Sequence, residues 1–296
     1  MTPRELILRN SARMKEAGIP DPVTDSALIL SFLLKRPPLD LRADMESDVP
    51  PEIQKQTEQL VSRRLKREPL QYLLGEAPFF GRMFTAVPGT LIPRPETEEL
   101  CRWALEAADG IRQPVVIDLC AGSGCIGLTF KLERKDADVI LLELSDDAIR
   151  TAALNTEKFA QPVTILKSDL FSALSGVKAD LILSNPPYIP SGQCASLQEE
   201  VRYEPLTALD GGEDGLLFYR RIAREAKAYL KPDGYLMLEI GDGEAQAVKD
   251  LLTENGWTGI EIRRDLAGRE RVIGARLRQA LSPKPAESAQ ERRKYV

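Results

Sequence analysis

Asn185-Pro186-Pro187-Tyr188 is the stretch of this 296-residue chain whose residue types best suit chemistry. It follows Asp180-Leu181-Ile182-Leu183-Ser184, an apolar run that reads as a buried strand. The tetrapeptide then belongs at the strand's C-terminal edge, where open α/β sheets bind ligands. Its two prolines fix φ and carry no N–H, so the backbone here offers carbonyl acceptors and few donors. Asn185 adds a side-chain acceptor and Tyr188 a flat ring. Such a mouth suits a planar NH2 group, whose two N–H bonds are accepted while the ring covers its face. That is what alkylation of an amide or exocyclic amine nitrogen needs. The same four residues also make a stiff turn, since Asn-Pro commonly marks one.

A second group of residues could hold a cofactor. Asp118-Leu119-Cys120-Ala121-Gly122-Ser123-Gly124 joins a predicted strand to a predicted helix. Glycines at 122 and 124 permit a tight turn and close approach of a ligand to the backbone. Glu143 closes the next strand, at the separation where a carboxylate can accept both hydroxyls of a ribose. Ser168-Asp169-Leu170 closes the third, with Asp169 placed either to accept an adenine amine hydrogen or to cap a turn. Gly127 completes a G-x-G-x-x-G pattern, which keeps a dinucleotide dehydrogenase open. Against it, Asp118 sets negative charge beside the turn where phosphates would lie. A sulfonium nucleoside such as S-adenosylmethionine tolerates that charge better.

The chain has no histidine, which excludes Ser-His dyads, HExxH zinc sites and imidazole acid–base chemistry. Its four cysteines, Cys101, Cys120, Cys125 and Cys194, lack paired zinc-ligand spacing and read as reduced, small buried residues. No metal site is expected. With 43% hydrophobic and 29% charged residues and no apolar run of membrane-spanning length, the chain reads as soluble. Met1-Thr2-Pro3-Arg4-Glu5-Leu6 has no signal-peptide core, which makes a cytoplasmic location the expectation. The net charge of −5 is uneven: residues 1–75 carry 12 Lys+Arg and 11 Asp+Glu, leaving −6 for the rest. That balance argues against nucleic acid as the bulk substrate. The cluster Arg63-Arg64-Leu65-Lys66-Arg67 reads as a solvated helix face.

The elements that must position these groups follow from periodicity. Residues 1–67 show apolar residues at helical spacing, broken by Pro20, Pro22, Pro37 and Pro38, and form a small helical bundle. Residues 68–90, from Tyr72-Leu73-Leu74-Gly75 to Phe84, read as a hairpin-like connector. Residues 91–280 alternate strand and helix from Val115 onward, including a helix over Gly215–Leu230 and a strand over Gly234–Ile240. That alternation implies a doubly wound, mostly parallel α/β sheet. Residues 281–296 lack apolar periodicity and are expected to form a mobile tail.

Together, residues 118–124, Glu143, Ser168-Asp169 and Asn185–Tyr188 resemble a class I S-adenosylmethionine-dependent methyltransferase. Four further blocks resemble one subfamily, the peptide chain release factor glutamine N5-methyltransferases: Pro69–Gly75, Ile92–Glu98, Val201–Leu209 and Asp265–Arg271. The resemblance spans roughly residues 1–277. It implies strand order 3-2-1-4-5-7-6 with the last strand antiparallel, and S-adenosylmethionine as cofactor. By position it puts cofactor contacts on Cys120, Ala121, Gly122, Ser123, Gly124, Glu143, Leu170 and Asn185. The substrate clamp falls on Asn185, Pro186, Pro187 and Tyr188. Cys120-Ala121 stands where relatives often have Gly-Thr, and Leu170 where an aromatic is common. The implied substrate is the glutamine of the Gly-Gly-Gln loop in class I release factors, with the helical N-terminus as their docking domain. An amino-methyltransferase acting on adenine or guanine in nucleic acid uses the same tetrapeptide and is the alternative.

Overall fold

A computed structural model describes residues 1–277. The N-terminal part holds helices α1 (Pro3–Glu16), α2 (Pro22–Leu34), α3 (Pro38–Ala43) and α4 (Pro51–Arg64), each opened by a proline, where the missing N–H costs nothing. Thr2 and Glu5 exchange backbone–side-chain bonds of 3.0 and 3.3 Å as a capping box at the start of α1. The apolar stripes meet in two small clusters, one around Leu6, Leu30 and Leu41, the other around Met14, Ile29 and Val61.

The basic cluster departs from the expected solvated face. Arg64 is 5% exposed and bonds Asp25 at 2.7 Å and Glu200 at 3.0 Å. Arg67 bonds Glu200 at 2.7 Å. The end of α4 thus carries an ion-pair network that ties the helical part to the remainder of the chain.

The connector also differs in part. Tyr72-Leu73-Leu74 belongs to a short helix, α5 (Leu70–Leu74), set between Pro69 and a left-handed Gly75 with φ 75°. Proline before and glycine after are the start and stop signals of a helix, and Tyr72 anchors it through its hydroxyl to the Thr90 carbonyl at 2.6 Å. The hairpin proper is β1 (Glu76–Phe79) paired antiparallel with β2 (Arg82–Thr85).

The sheet domain follows as α6 (Glu98–Ala107), β3 (Val115–Leu119), α7 (Cys125–Glu133), β4 (Asp138–Glu143), α8 (Asp146–Phe159), β5 (Thr164–Lys167) and β6 (Ala179–Ser184). It ends with α9 (Leu217–Glu225), β7 (Leu230–Glu239), α10 (Ala245–Glu254), β8 (Thr258–Arg264) and β9 (Glu270–Arg276). The seven strands run β5-β4-β3-β6-β7-β9-β8, which is 3-2-1-4-5-7-6 in sheet numbering, with β9 antiparallel to both neighbours. The expected helix over Gly215–Leu230 is shorter, because Leu230 already pairs with Ala179 as the first residue of β7. A register shift between Ala179 and Leu181 absorbs Pro232-Asp233-Gly234, with Asp233 at φ 61°.

Strand alternation sorts the core into two layers. Ile117, Leu119, Ile182, Leu236 and Leu238 pack on one side with Tyr219 and Ile222 of α9 and Val248 of α10. Val116, Leu181, Leu183 and Met237 pack on the other with α6 and α7. The expected tail, residues 281–296, lies outside the described residues.

Candidate functional site

The turn after β3 is shaped by left-handed backbone at three residues: Cys120 (φ 54°), Gly122 (φ 56°) and Gly124 (φ 76°). Glycine takes that conformation freely, whereas Cys120 is strained there. A Cβ at Gly122 would meet nothing within 4 Å, so its requirement is conformational. At Gly127 a Cβ would lie 2.3 Å from Leu141, so this glycine serves close packing of α7 on β4.

Asp118 does not reach the ligand side of the turn. It is fully buried, and its Oδ2 accepts the Gly127 N–H at 2.8 Å beneath the start of α7. Its Oδ1 has no partner among the described residues. Burial pushes the carboxyl up to about 7, against the pull of the Gly127 N–H.

Glu143 sits at the end of β4 with its carboxylate already engaged. Oε2 accepts the Gly122 N–H, and Oε1 accepts those of Leu144 and Ser145, all at 2.8 Å. A carboxylate offers about four acceptor positions, so roughly one stays open for a ligand hydroxyl, rather than two. The price of that rigidity is a narrower choice of partner. Ser145 in turn caps α8 through Ala148.

At the end of β5, Leu170 is buried with φ 48°, its carbonyl held by the Ser168 hydroxyl at 2.6 Å. Asp169 forms an ion pair with Arg221 at 2.9 Å. A cavity of ≈ 380 Å³ opens above these strand ends. Cys120, Ala121, Gly122, Ser123, Glu143, Asp169, Leu170, Asn185 and Pro187 line it; Asp118, Gly124, Pro186 and Tyr188 do not.

The tetrapeptide is fastened to the turn by Ser184, whose hydroxyl donates to the Leu119 carbonyl at 2.8 Å. Asn185 donates from Nδ2 to the Thr97 hydroxyl at 3.3 Å. Tyr188 is threaded between glycines: a Cβ at Gly211 would lie 2.7 Å from its backbone, and one at Gly241 3.1 Å from its ring. Burial and the neighbouring Glu239 push its phenol upward. Sequence reading held Thr97 only as part of the Ile92–Glu98 block, with no role, and missed Glu239 and these glycines. Asp210-Gly211-Gly212 and Gly241 were visible as glycines, but nothing local tied them to Tyr188.

Two of the subfamily blocks, Ile92–Glu98 and Val201–Leu209, also meet here. Arg94 pairs with buried Glu204, which accepts the Ile92 N–H at 2.9 Å. Pro205, Thr207 and Ala208 then line the cavity. Arg271 reaches back to the Ile240 carbonyl at 3.1 Å, and Asp265 accepts the N–H groups of Ala267 and Arg269.

Known proteins resemble this chain along most of its length. A profile described as the PrmC N-terminal domain matches residues 5–75, and one described as the methyltransferase small domain matches residues 103–201. A release factor glutamine methyltransferase of Geobacter sulfurreducens is 39% identical over 265 residues, covering 89% of this chain and 93% of the relative. The chain belongs to the release factor glutamine methyltransferases. A second member of that family, from Cereibacter sphaeroides, is 40% identical over 268 residues, covering 90% and 95%. Among solved structures, a 16S rRNA methyltransferase of T. thermophilus in complex with AdoMet and guanosine superposes with TM-score 0.50 at 23% identity, covering 69% of this chain and 50% of that one. This last likeness concerns the fold. Among the described residues, no helix of this methyltransferase is long and apolar enough to cross a membrane.

Proposed function

We propose that this enzyme methylates the side-chain amide nitrogen of the glutamine in the Gly-Gly-Gln loop of class I peptide chain release factors, in the cytoplasm. The observation that carries the reading is Asn185 at the cavity wall with its Nδ2 turned to Thr97, which leaves the amide oxygen to face a substrate N–H. Family membership over nearly the whole chain supports the substrate class.

The cavity fits S-adenosylmethionine. Its volume of ≈ 380 Å³ lies in the range of small-molecule sites. The open space above Gly122 admits a ligand close to the backbone, and Glu143 retains an acceptor position for a ribose hydroxyl. Leu170 and the Asp169 backbone would border the base, while Cys120, Ala121, Ser123 and Gly124 form the turn. Asp118 supports that turn from below. When bound, the cofactor would supply an electrophilic methyl group on a sulfonium, whose S–C bond breaks to leave a neutral thioether.

A carboxamide nitrogen is a poor nucleophile, because its lone pair is delocalised into the carbonyl. The Asn185 oxygen and the Pro186 carbonyl accept its two N–H bonds, which favours a pyramidal nitrogen with its lone pair directed away from them. Pro187 stiffens the strand edge, and the half-buried Tyr188 packs against the amide plane. Placement of this kind can contribute ~7–11 kcal/mol in favourable cases. The nitrogen gains the methyl and its surplus proton passes to water, so no general base is needed beforehand. Residues 1–67 dock the release factor, 68–90 connect, and 91–280 carry the transfer. The −6 charge outside residues 1–75 disfavours a nucleic acid substrate.

The test is mass spectrometry of a release factor incubated with the enzyme and S-adenosylmethionine, with DNA and RNA in parallel. One added methyl group on the loop glutamine, absent when that glutamine is replaced by alanine, is the expected result. Methyl groups found only on nucleic acid would overturn it.

A further inference from the structure

Behind Asn185 lies a buried acid with no role in the clamp described above. Glu239 is the last residue of β7, 1% exposed, and its Oε2 has no hydrogen-bond partner among the described residues. β7 runs parallel to β6 with Leu238 opposite Ser184, so Glu239 and Asn185 occupy adjoining strand ends. Thr97, 2% exposed, stands between them. Its hydroxyl oxygen takes the Asn185 Nδ2–H at 3.3 Å, and Thr97 also pulls the Glu239 carboxyl downward, against its burial.

The charged and titratable neighbours of Glu239 come from every side. They are Arg271 of β9, Arg94 and Glu96 ahead of α6, Tyr188 beyond β6, Tyr219 of α9, Cys101 of α6 and Cys125 of α7. The two arginines bond elsewhere: Arg271 to Asp265 and the Ile240 carbonyl, Arg94 to Glu204. Thr97 is left as the neighbour through which Glu239 can act on Asn185.

A hydroxyl has one proton and two lone pairs. An ionised carboxylate only accepts, so the Thr97 proton must point at Glu239 and its lone pair at Asn185. The asparagine amide can meet a lone pair only with its NH2. Its oxygen is thereby turned to the substrate, where two N–H bonds need acceptors. A protonated Glu239 can instead donate to Thr97, which frees the Thr97 proton for the Asn185 oxygen. The flipped amide then presents N–H to N–H, and the clamp fails.

We propose that Thr97 and Glu239 are positioning residues that hold the Asn185 amide with its oxygen toward the substrate, and that ionised Glu239 is the form that does so. This rests on the clamp reading of Asn185. Burial pushes the Glu239 carboxyl up to about 7, against the pull of Thr97 and the two arginines, so the change of orientation falls in the neutral range.

The experiment measures kcat and KM against pH for the full chain with S-adenosylmethionine and a release factor. Wild-type kcat should rise with pH through a limb near neutrality. Thr97→Val should lower kcat on the order of 100-fold, the scale of a misplaced reacting group, with cofactor affinity little changed and the limb gone. Thr97→Ser, which keeps the hydroxyl, should restore both. Glu239→Gln, of matched volume and without a charge to desolvate, should melt as a folded protein and lose the limb. A limb that persists in Glu239→Gln, or Thr97→Ser failing as badly as Thr97→Val, would overturn the proposal. Asn185→Ala separates the two readings: full kcat there sinks the clamp itself, whereas a loss there with an unaffected Thr97→Val sinks only the positioning role.

Discussion

The Glu143 carboxylate receives three backbone N–H groups, from Gly122, Leu144 and Ser145. Those bonds join the turn after β3 to the end of β4, so the side chain that shapes the site is the one proposed to meet the ligand. Removing it should therefore do more than delete a contact. Glu143→Ala should weaken S-adenosylmethionine binding by about 1–3 kcal/mol, the cost of leaving the part-buried Gly122 and Ser145 donors and a ligand hydroxyl unmatched. Glu143→Gln should be no better than alanine. Its NH2 would face at least one of the three N–H donors, and donor against donor is repulsive. Calorimetric titration of both variants checks this, and near wild-type affinity for the glutamine variant would refute it. The acidic residue itself was legible in the sequence from its place at a strand end. The three donors were not, because they depend on how the turn and the start of α8 curl around it. Thr97 was hidden for a related reason: it lies 88 positions from Asn185, and no local pattern links them.

At the scale of elements, the βα alternation was legible because the central strands β4 and β6 carry continuous apolar runs and the longer helices show their period. The failures fall where an element is too short or interrupted. Five residues, Leu70–Leu74, make little more than one helical turn, too few to distinguish from a strand by spacing. Asp118 was misplaced although alternation held the answer. Ile117 and Leu119 pack on the α9 and α10 side, so Asp118 shares the other face with Val116, beneath α7. A carboxyl in that position couples stability to pH. Its pKa in the folded chain is about 7, against an ordinary 3.8. The native state therefore holds more protons than the unfolded state across that window, and stability falls as pH rises through it. The slope from this group is at most about 1.4 kcal/mol per pH unit. Glu239, likewise pushed up to about 7, acts in the same direction. Asp118→Asn can still accept the Gly127 N–H, and it should flatten part of this slope. Thermal melts from acid to mildly alkaline pH read the effect, and an unchanged slope in Asp118→Asn would show that the acid ionises freely in the folded state.

Across the whole molecule, one segment connects the helical part to the cavity. Glu200 bonds Arg64 and Arg67 at the end of α4, and the Tyr203 hydroxyl donates to the Lys66 carbonyl at 2.6 Å. Glu204 holds Arg94 and the Ile92 N–H, and Pro205, Thr207 and Ala208 reach the cavity wall. The segment thus fixes how far the helical domain stands from the Asn185 mouth. On the proposed reading the release factor docks on the helices and must deliver its loop across that distance, so both contacts form together only if the spacing is held. A preset spacing raises the effective concentration of the loop at the site, and a loosened one lowers it. Glu200→Ala leaves Arg64 paired with Asp25 and Arg67 bonded to the Gly18 carbonyl, so both parts should remain folded. KM for an intact release factor should then rise on the order of tenfold, while a short peptide carrying the Gly-Gly-Gln loop is methylated as before. Cofactor affinity should hold, because Gly122, Glu143 and Leu170 are untouched. Measuring KM for both substrates with wild type and Glu200→Ala decides the matter. An equal rise for peptide and protein would place the effect in the cavity wall, and no rise for either would mean that the helical domain keeps its position without Glu200.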